Sequence, residues 1–189
     1  MFERLLKRIA LQLKKASIPY MVIGGQAVLL YGEPRLTRDI DITLGMGVKE
    51  LDKVKKIIRV VGLKTLVEKE KEFVERNMVL PTLDKKSGIR VDFIFSFSYY
   101  ERQAIERGKD IKLGRTFVRF TSLEDVVIQK VIAGRARDLE DVKSILLKNP
   151  KYDLDYIETW LKEFDKSLGE HFLKIFGEIK DGLCAKRMK

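Results

Sequence analysis

The segment Thr37-Arg38-Asp39-Ile40-Asp41-Ile42 sets two carboxylates two residues apart in an alternating pattern. In a strand, successive side chains point to opposite faces, so Asp39 and Asp41 share one face and Ile40 and Ile42 the other. Asp is disfavoured in strands because its side chain competes for backbone hydrogen bonds. Two carboxylates about 7 Å apart along one face repel each other unless a cation lies between them. Magnesium, which takes carboxylate and phosphate oxygens together, suits such a pair. A half-buried strand with a solvated acidic face is the other reading, and D-x-D alone does not separate the two.

Val91-Asp92-Phe93-Ile94-Phe95 places a third carboxylate inside a dense apolar run, where a lone charge is costly without a partner. A salt bridge to Arg90 or Arg38 would meet that cost. So would a position facing Asp39 and Asp41 from a neighbouring strand, which would complete a site for two divalent ions. In such sites two ions about 3.5–4 Å apart clamp the attacking and leaving oxygens of an in-line displacement. Upstream, Val22-Ile23-Gly24-Gly25-Gln26-Ala27-Val28 reads as a strand, a glycine turn and a helix start. Backbone N–H groups at a helix N-terminus attract anions, and glycine lets a phosphate approach closely. The turn precedes the acidic strand by about fourteen residues, room for one short helix and a return to the adjacent strand.

As an ordered set, Gly24-Gly25, Arg35-Leu36-Thr37-Arg38-Asp39-Ile40-Asp41-Ile42 and Arg90-Val91-Asp92-Phe93-Ile94 resembles the polymerase-beta-type nucleotidyltransferase superfamily, over roughly residues 18 to 97. The resemblance implies transfer of a nucleoside monophosphate from a nucleoside triphosphate to an acceptor hydroxyl, with release of pyrophosphate. It implies two Mg²⁺ or Mn²⁺ ions on Asp39, Asp41 and Asp92, with Asp92 also helping to activate the acceptor. Gly24, Gly25, Arg38 and Lys130 would hold the nucleotide. Many members carry Gly-Ser at the turn; Gly25 stands here in the serine position, so one hydroxyl contact to phosphate is missing. Leu123-Glu124-Asp125-Val126-Val127-Ile128-Gln129-Lys130, followed by Ala133, Arg135, Arg137-Asp138 and Asp141, is similar to abortive-infection type nucleotidyltransferase toxins. That likeness implies an RNA acceptor such as a tRNA end, and a cognate antitoxin-like partner. From the residues themselves, Leu123, Val126, Val127 and Lys130 share one helical face. Lys130 either enters a cleft to meet a triphosphate or snorkels from a core edge. Asp138 and Asp141 would orient Lys130 or an arginine rather than bind metal.

These groups need a sheet to hold them. Phe2, Leu5, Leu6, Ile9 and Leu13 recur at helical spacing, and Ser17-Ile18-Pro19 ends that helix. Tyr20 to Ile23 reads as a buried strand, Gln26 to Tyr31 as a helix closed near Gly32, and Ile40 to Leu44 as the acidic strand. Val48, Leu51, Val54, Ile57 and Ile58 mark an amphipathic helix within Gly47 to Val61. Two strands are expected near Lys64 to Val67 and Asn77 to Thr82, with the charges from Glu68 to Glu72 on a solvated face. Ile89 to Phe97 reads as a strand, Tyr99 to Arg107 as a helix, and Ile111 to Phe120 as a hairpin or two edge strands. Beyond Thr121 the pattern is helical. Ser122 caps a helix running to about Leu147 with a kink near Gly134. Asn149-Pro150 breaks it, and Tyr156 to about Ile179 forms one or two helices more. The expected fold is α+β: a small mixed β-sheet nucleotidyltransferase core with flanking helices at residues 1–121, and a C-terminal helical appendage packed on it at residues 122–189.

Composition narrows the partners. Lys and Arg number 38 against 28 Asp and Glu, a net +10. That excess suits an anionic partner, nucleotide or nucleic acid, or a surface kept basic for solubility alone. His171 is the only histidine, which argues against histidine-dependent hydrolysis and histidine-ligated zinc. Cys184, the only cysteine, forms no internal disulfide and fits a reducing, cytoplasmic compartment. No apolar run approaches the ~20 residues of a membrane span. Lys7, Arg8, Lys14 and Lys15 break the N-terminal apolar stretch too often for a secretory signal. Tyr99-Tyr100 and Trp160 could stack a base, although their spacing suits core packing. Besides an RNA end, a hydroxyl on a protein partner or a small molecule such as an aminoglycoside remains an open acceptor, as does a binding module that has lost catalysis.

Overall fold

The computed structural model describes residues 1–96 and 98–187. Phe97, the Cys184 side chain and the basic side chains of the tail at 186–189, expected to fray, lie outside the described residues. Backbone contacts divide the chain into two compact units. The first is Met1–Ala27 with Leu36–Thr121; the second is Val28–Arg35 with Ser122–Lys189.

In chain order the elements up to Thr121 are α1 (Phe2–Lys15), β1 (Tyr20–Ile23), α2 (Gly24–Tyr31), β2 (Asp39–Gly45), α3 (Leu51–Val61), β3 (Lys64–Thr65), α4 (Glu70–Asn77), β4 (Val79–Asp84), β5 (Ile89–Ser96), α5 (Tyr99–Arg107), β6 (Lys109–Leu113) and β7 (Thr116–Phe120). The seven strands form one mixed sheet in the order β3-β4-β5-β2-β1-β7-β6. β2 runs parallel to β5 and antiparallel to β1. Register puts Val22, Ile42, Phe93 and Leu80 in one row on one face, all fully buried. Asp41, Asp92 and Pro81 lie in a row on the opposite face. The alternation therefore separates an apolar face from a chemical one. α1 buries Leu5, Leu6, Ile9 and Leu13 and packs against β7 and α3. Burying side chains of this kind contributes about 1.5–3 kcal/mol each.

The region 63–83 differs from expectation in one respect. β3 is only two residues long, and the charged run after it is mostly exposed, as expected, but it leads into a helix, α4, that was not foreseen. Glu, Lys and Arg are good helix formers, but α4 buries only Val74, so it carries almost no apolar periodicity to read.

The second unit contains α6 (Leu123–Ala133), α7 (Ala136–Lys148), α8 (Leu154–Leu168) and α9 (Phe172–Arg187). Ser122 caps α6 as expected: its hydroxyl accepts from the Asp125 N–H at 3.2 Å and donates to Asp125 Oδ2 at 2.5 Å. The kink foreseen near Gly134 is a complete break, because Gly134 takes φ +64° and ends α6 in the left-handed conformation. Gly169, at φ +70°, divides α8 from α9 in the same way, and His171 lies exposed between them rather than within a helix. Along α8, Tyr156 meets Trp160 in a T-shaped contact and Trp160 meets Phe164 in a tilted one, with ring centroids 6.5 and 6.0 Å apart. Tyr99 is exposed while Tyr100 is buried.

The segment Val28–Arg35, expected with the catalytic part, groups with these helices for a visible reason. Asn149 donates to the Tyr31 carbonyl at 2.7 Å and Lys148 to the Gly32 carbonyl at 3.1 Å, while Ser144 Oγ accepts from the Glu33 N–H at 3.1 Å. Among the described residues no helix is long and apolar enough to cross a membrane.

Candidate active site

The parallel register of β2 and β5 sets Asp41 beside Asp92 and Asp39 beside Arg90. Neighbouring strands are about 4.8 Å apart, so all three carboxylates rise from one patch of one face. On the other side of β2, Ile23 of β1 pairs with Asp41, and Gly24 follows at once with φ +64°. α2 begins at Gly24 itself, two residues earlier than the sequence pattern implied. A Cβ on Gly24 would overlap Asp41 Oδ2 and lie 3.1 Å from Asp41 Cγ. Glycine is thus required here twice, by its backbone angle and by the carboxylate against it.

Arg90 Nε donates to Asp92 Oδ1 at 2.8 Å. The hydrogen bond to Asp92 raises the Arg90 pKa, burial opposes this, and the charges of Asp92, Asp39 and Asp41 raise it further. One guanidinium therefore feels all three carboxylates. Asp92 pairs with Arg90, one of the two salt bridges considered for it, and lies on the same face of the sheet as Asp39 and Asp41. As the side chains stand, no three His, Cys, Asp or Glu groups among the described residues converge on a single point, and Asp92 is turned towards Arg90. The donor set is nevertheless one of hard carboxylate oxygens, which fits Mg²⁺ or Mn²⁺. Arg38 is exposed immediately before Asp39.

Gln26 is a site residue that sequence reading missed. Only 8% exposed, it donates to Thr37 Oγ1 at 2.6 Å and, more weakly, to the Asp39 carbonyl at 3.5 Å. It ties the first turn of α2 to the run that enters the acidic strand. The available signal was a polar residue at the start of an otherwise apolar helix.

Lys130 lies in the second unit, 7% exposed, with its ammonium 2.5 Å from Asp138 Oδ1 and 3.1 Å from Asp141 Oδ2. Arg35 makes a two-pronged contact with Asp141, 2.9 Å on each side, and Arg135 Nε donates to Asp138 at 2.5 Å. Burial pushes the Asp138 pKa up, but the hydrogen bonds from Arg135 and Lys130 outweigh it and hold it below the ordinary 3.8. Within its own unit, Lys130 is occupied by the two aspartates proposed to orient it.

A family model described as "Nucleotidyltransferase of unknown function (DUF6036)" matches residues 2–173. Among proteins of curated function none matches the sequence. Solved structures share the fold at low identity. The chain is similar to ANT(2")-Ia in complex with adenylyl-2"-tobramycin, with 14% identity and a TM-score of 0.61 over 88% of this chain and 98% of that one. It is similar to an antigenic nucleotidyltransferase-like protein from Paracoccidioides brasiliensis, with 13% identity and a TM-score of 0.56 over 87% of each chain. JHP933 from Helicobacter pylori gives 17% identity and a TM-score of 0.52 over 97% of this chain and 89% of that one.

Proposed function

The chain belongs to this nucleotidyltransferase family of unknown function, within the polymerase-beta-type superfamily, and on that premise we propose that it moves a nucleoside monophosphate from a nucleoside triphosphate onto the terminal hydroxyl of an RNA. The observation that carries the proposal is the row of Asp41 and Asp92 in register, with Asp39 two residues away on the same face and Gly24 against Asp41.

Asp39, Asp41 and Asp92 would hold divalent ions, once Asp92 turns from Arg90. When bound, such ions offset charge on the triphosphate and ease loss of the acceptor proton. The rest falls to the chain. Gly24 and Gly25 offer backbone N–H groups to phosphate at the start of α2, and Arg38 offers a guanidinium. The acceptor oxygen forms its bond to the α-phosphorus as the bond from that phosphorus to the leaving oxygen breaks, and pyrophosphate departs. The acceptor proton passes to Asp92. Positioning and fixed charge supply most of the acceleration in such transfers.

Charge supports RNA as the acceptor. The first unit holds 24 Lys and Arg against 14 Asp and Glu, a net +10; the second holds 14 of each. The whole basic excess sits in the unit that carries the carboxylates. The likeness to ANT(2")-Ia concerns the fold and brings no acceptor with it.

The test is label transfer. Purified protein, Mg²⁺ and each α-labelled nucleoside triphosphate are mixed with total tRNA, with lysate protein, or with an aminoglycoside, beside Asp39→Ala and Asp41→Ala. Label on RNA that vanishes in both variants, with unchanged circular dichroism, is the expected result. Turnover retained in either variant sinks the mechanism; label on protein or drug moves the acceptor.

A further inference from the structure

A row of cations leads away from the carboxylates on their own face of the sheet. Register runs from Asp39 to Arg90, from Arg90 to Leu83 on β4, and from Leu83 to Lys64 on β3. Arg90 and Lys64 are exposed and stand in one lateral line with Asp39. Past the ends of β4 and β5 comes the turn at residues 85–88, which carries Lys85 and Lys86, both exposed. Asp39 pairs with Arg90, the second residue of β5, so this turn belongs to the carboxylate end of the sheet. By strand rise its tip is about 10 Å from Asp39.

The turn is built to hold its shape. Asp84, 6% exposed, accepts from the Ser87 hydroxyl at 2.5 Å through its side chain. The Asp84 carbonyl accepts from the Ser87 and Gly88 N–H groups at 3.2 and 2.8 Å. Ser87 Oγ accepts from the Ile89 N–H at 3.3 Å, and Gly88 takes φ +69°. The one acid in the turn is thus buried and engaged inward, while both lysines face solvent. Two exposed lysines on a turn of held backbone, set to one side of the carboxylates, suit a polymer that carries a phosphate at every nucleotide.

We propose that Lys85, Lys86 and Lys64 form a track for the phosphodiester backbone of single-stranded RNA, guiding its terminal hydroxyl to the carboxylates. The proposal rests on the nucleotidyltransferase reading of that site and adds the surface that receives the acceptor strand.

The test is equilibrium binding of a 5′-labelled single-stranded RNA of mixed sequence, followed by fluorescence anisotropy across a salt series without nucleotide. Lys85→Glu/Lys86→Glu is compared with Lys14→Glu/Lys15→Glu. The second pair makes the same charge change at the end of α1, which leads into the opposite end of β1 from Gly24. Each phosphate contact contributes about 0.7 to the slope of log affinity against log salt for single strands. The turn variant should therefore lose about 1.4 from the slope and at least tenfold in affinity at low salt, with the α1 variant within threefold of wild type. Lys85→Gln/Lys86→Gln should show the same slope change if charge reversal disturbs the turn. Equal losses in the turn and α1 variants, or no loss in the turn variants, overturns the track. Wild-type binding without salt dependence overturns it as well. Failure of the site reading shows up separately, as absent label transfer or Mn²⁺ binding in protein that still binds RNA.

Discussion

Replacing Gly24 by alanine tests whether the turn and the acidic strand form one device. The cost has two parts. A non-glycine residue in the left-handed region costs about 1–2 kcal/mol, and Gly24 sits at φ +64°. The new Cβ would also overlap Asp41 Oδ2, with Asp41 Cγ at 3.1 Å, so the Asp41 side chain must leave its place at a cost of about 1 kcal/mol in rotamer strain. Gly24→Ala should therefore lose about 2–3 kcal/mol of stability. In an Asp41→Ala background the overlap is gone and only the backbone part remains. A double-mutant cycle by urea unfolding should then show coupling of about 1 kcal/mol, beyond the roughly 0.3–0.5 kcal/mol scatter of independent sites. Calorimetric titration with Mn²⁺ should find binding weakened at least tenfold in Gly24→Ala, although all three aspartates remain. Additive stabilities, or undiminished Mn²⁺ binding, would refute the reasoning.

Other expectations follow from neighbouring contacts. Arg90→Met removes a cation that Mn²⁺ must displace, so Mn²⁺ should bind about three- to tenfold more tightly. In chelator the variant should be less stable by no more than ~1 kcal/mol, since Arg90 is half exposed and such pairs contribute little; weaker binding by calorimetry would contradict this. Gln26→Leu leaves the buried Thr37 hydroxyl without its donor, which should cost about 1–2 kcal/mol. It should also slow label transfer at saturating nucleotide by loosening the run into Asp39. Asp138 has a native pKa below its ordinary 3.8, so the stability it contributes is complete above that value and is lost as pH falls through the lowered one. Melting temperatures across this acid range should fall more gently for Asp138→Asn than for wild type, and parallel curves would count against the network.

What could be read from the chain followed from local periodicity. Asp39 and Asp41 were placed on one face because alternation is a two-residue rule, and Asp92 stood out because its neighbours are apolar. Why position 24 must be glycine was not legible in full, because the pressing contact comes from Asp41, seventeen residues on. α4 was missed because a helix burying a single valine leaves no stripe. The ion pair of Arg35 with Asp141 spans 106 positions, and no local pattern announces it. The concentration of positive charge in one unit is not legible along the chain, because each unit is assembled from two separate segments.

The excursion of residues 28–35 into the helical unit has a consequence for how the protein is made. Those eight residues lie between the glycine turn and the acidic strand, yet their partners, Asp141, Ser144, Lys148 and Asn149, are synthesised more than a hundred residues later. Chains emerge from the ribosome N-terminus first. A nascent chain that has reached Thr121 holds every strand of the sheet and all three carboxylates, but the tether between the glycine turn and the acidic strand has nothing to dock on. Docking of the segment is thereby postponed until Asn149 has emerged, and cutting the gene at the boundary before Ser122 would yield a sheet with its tether left undocked.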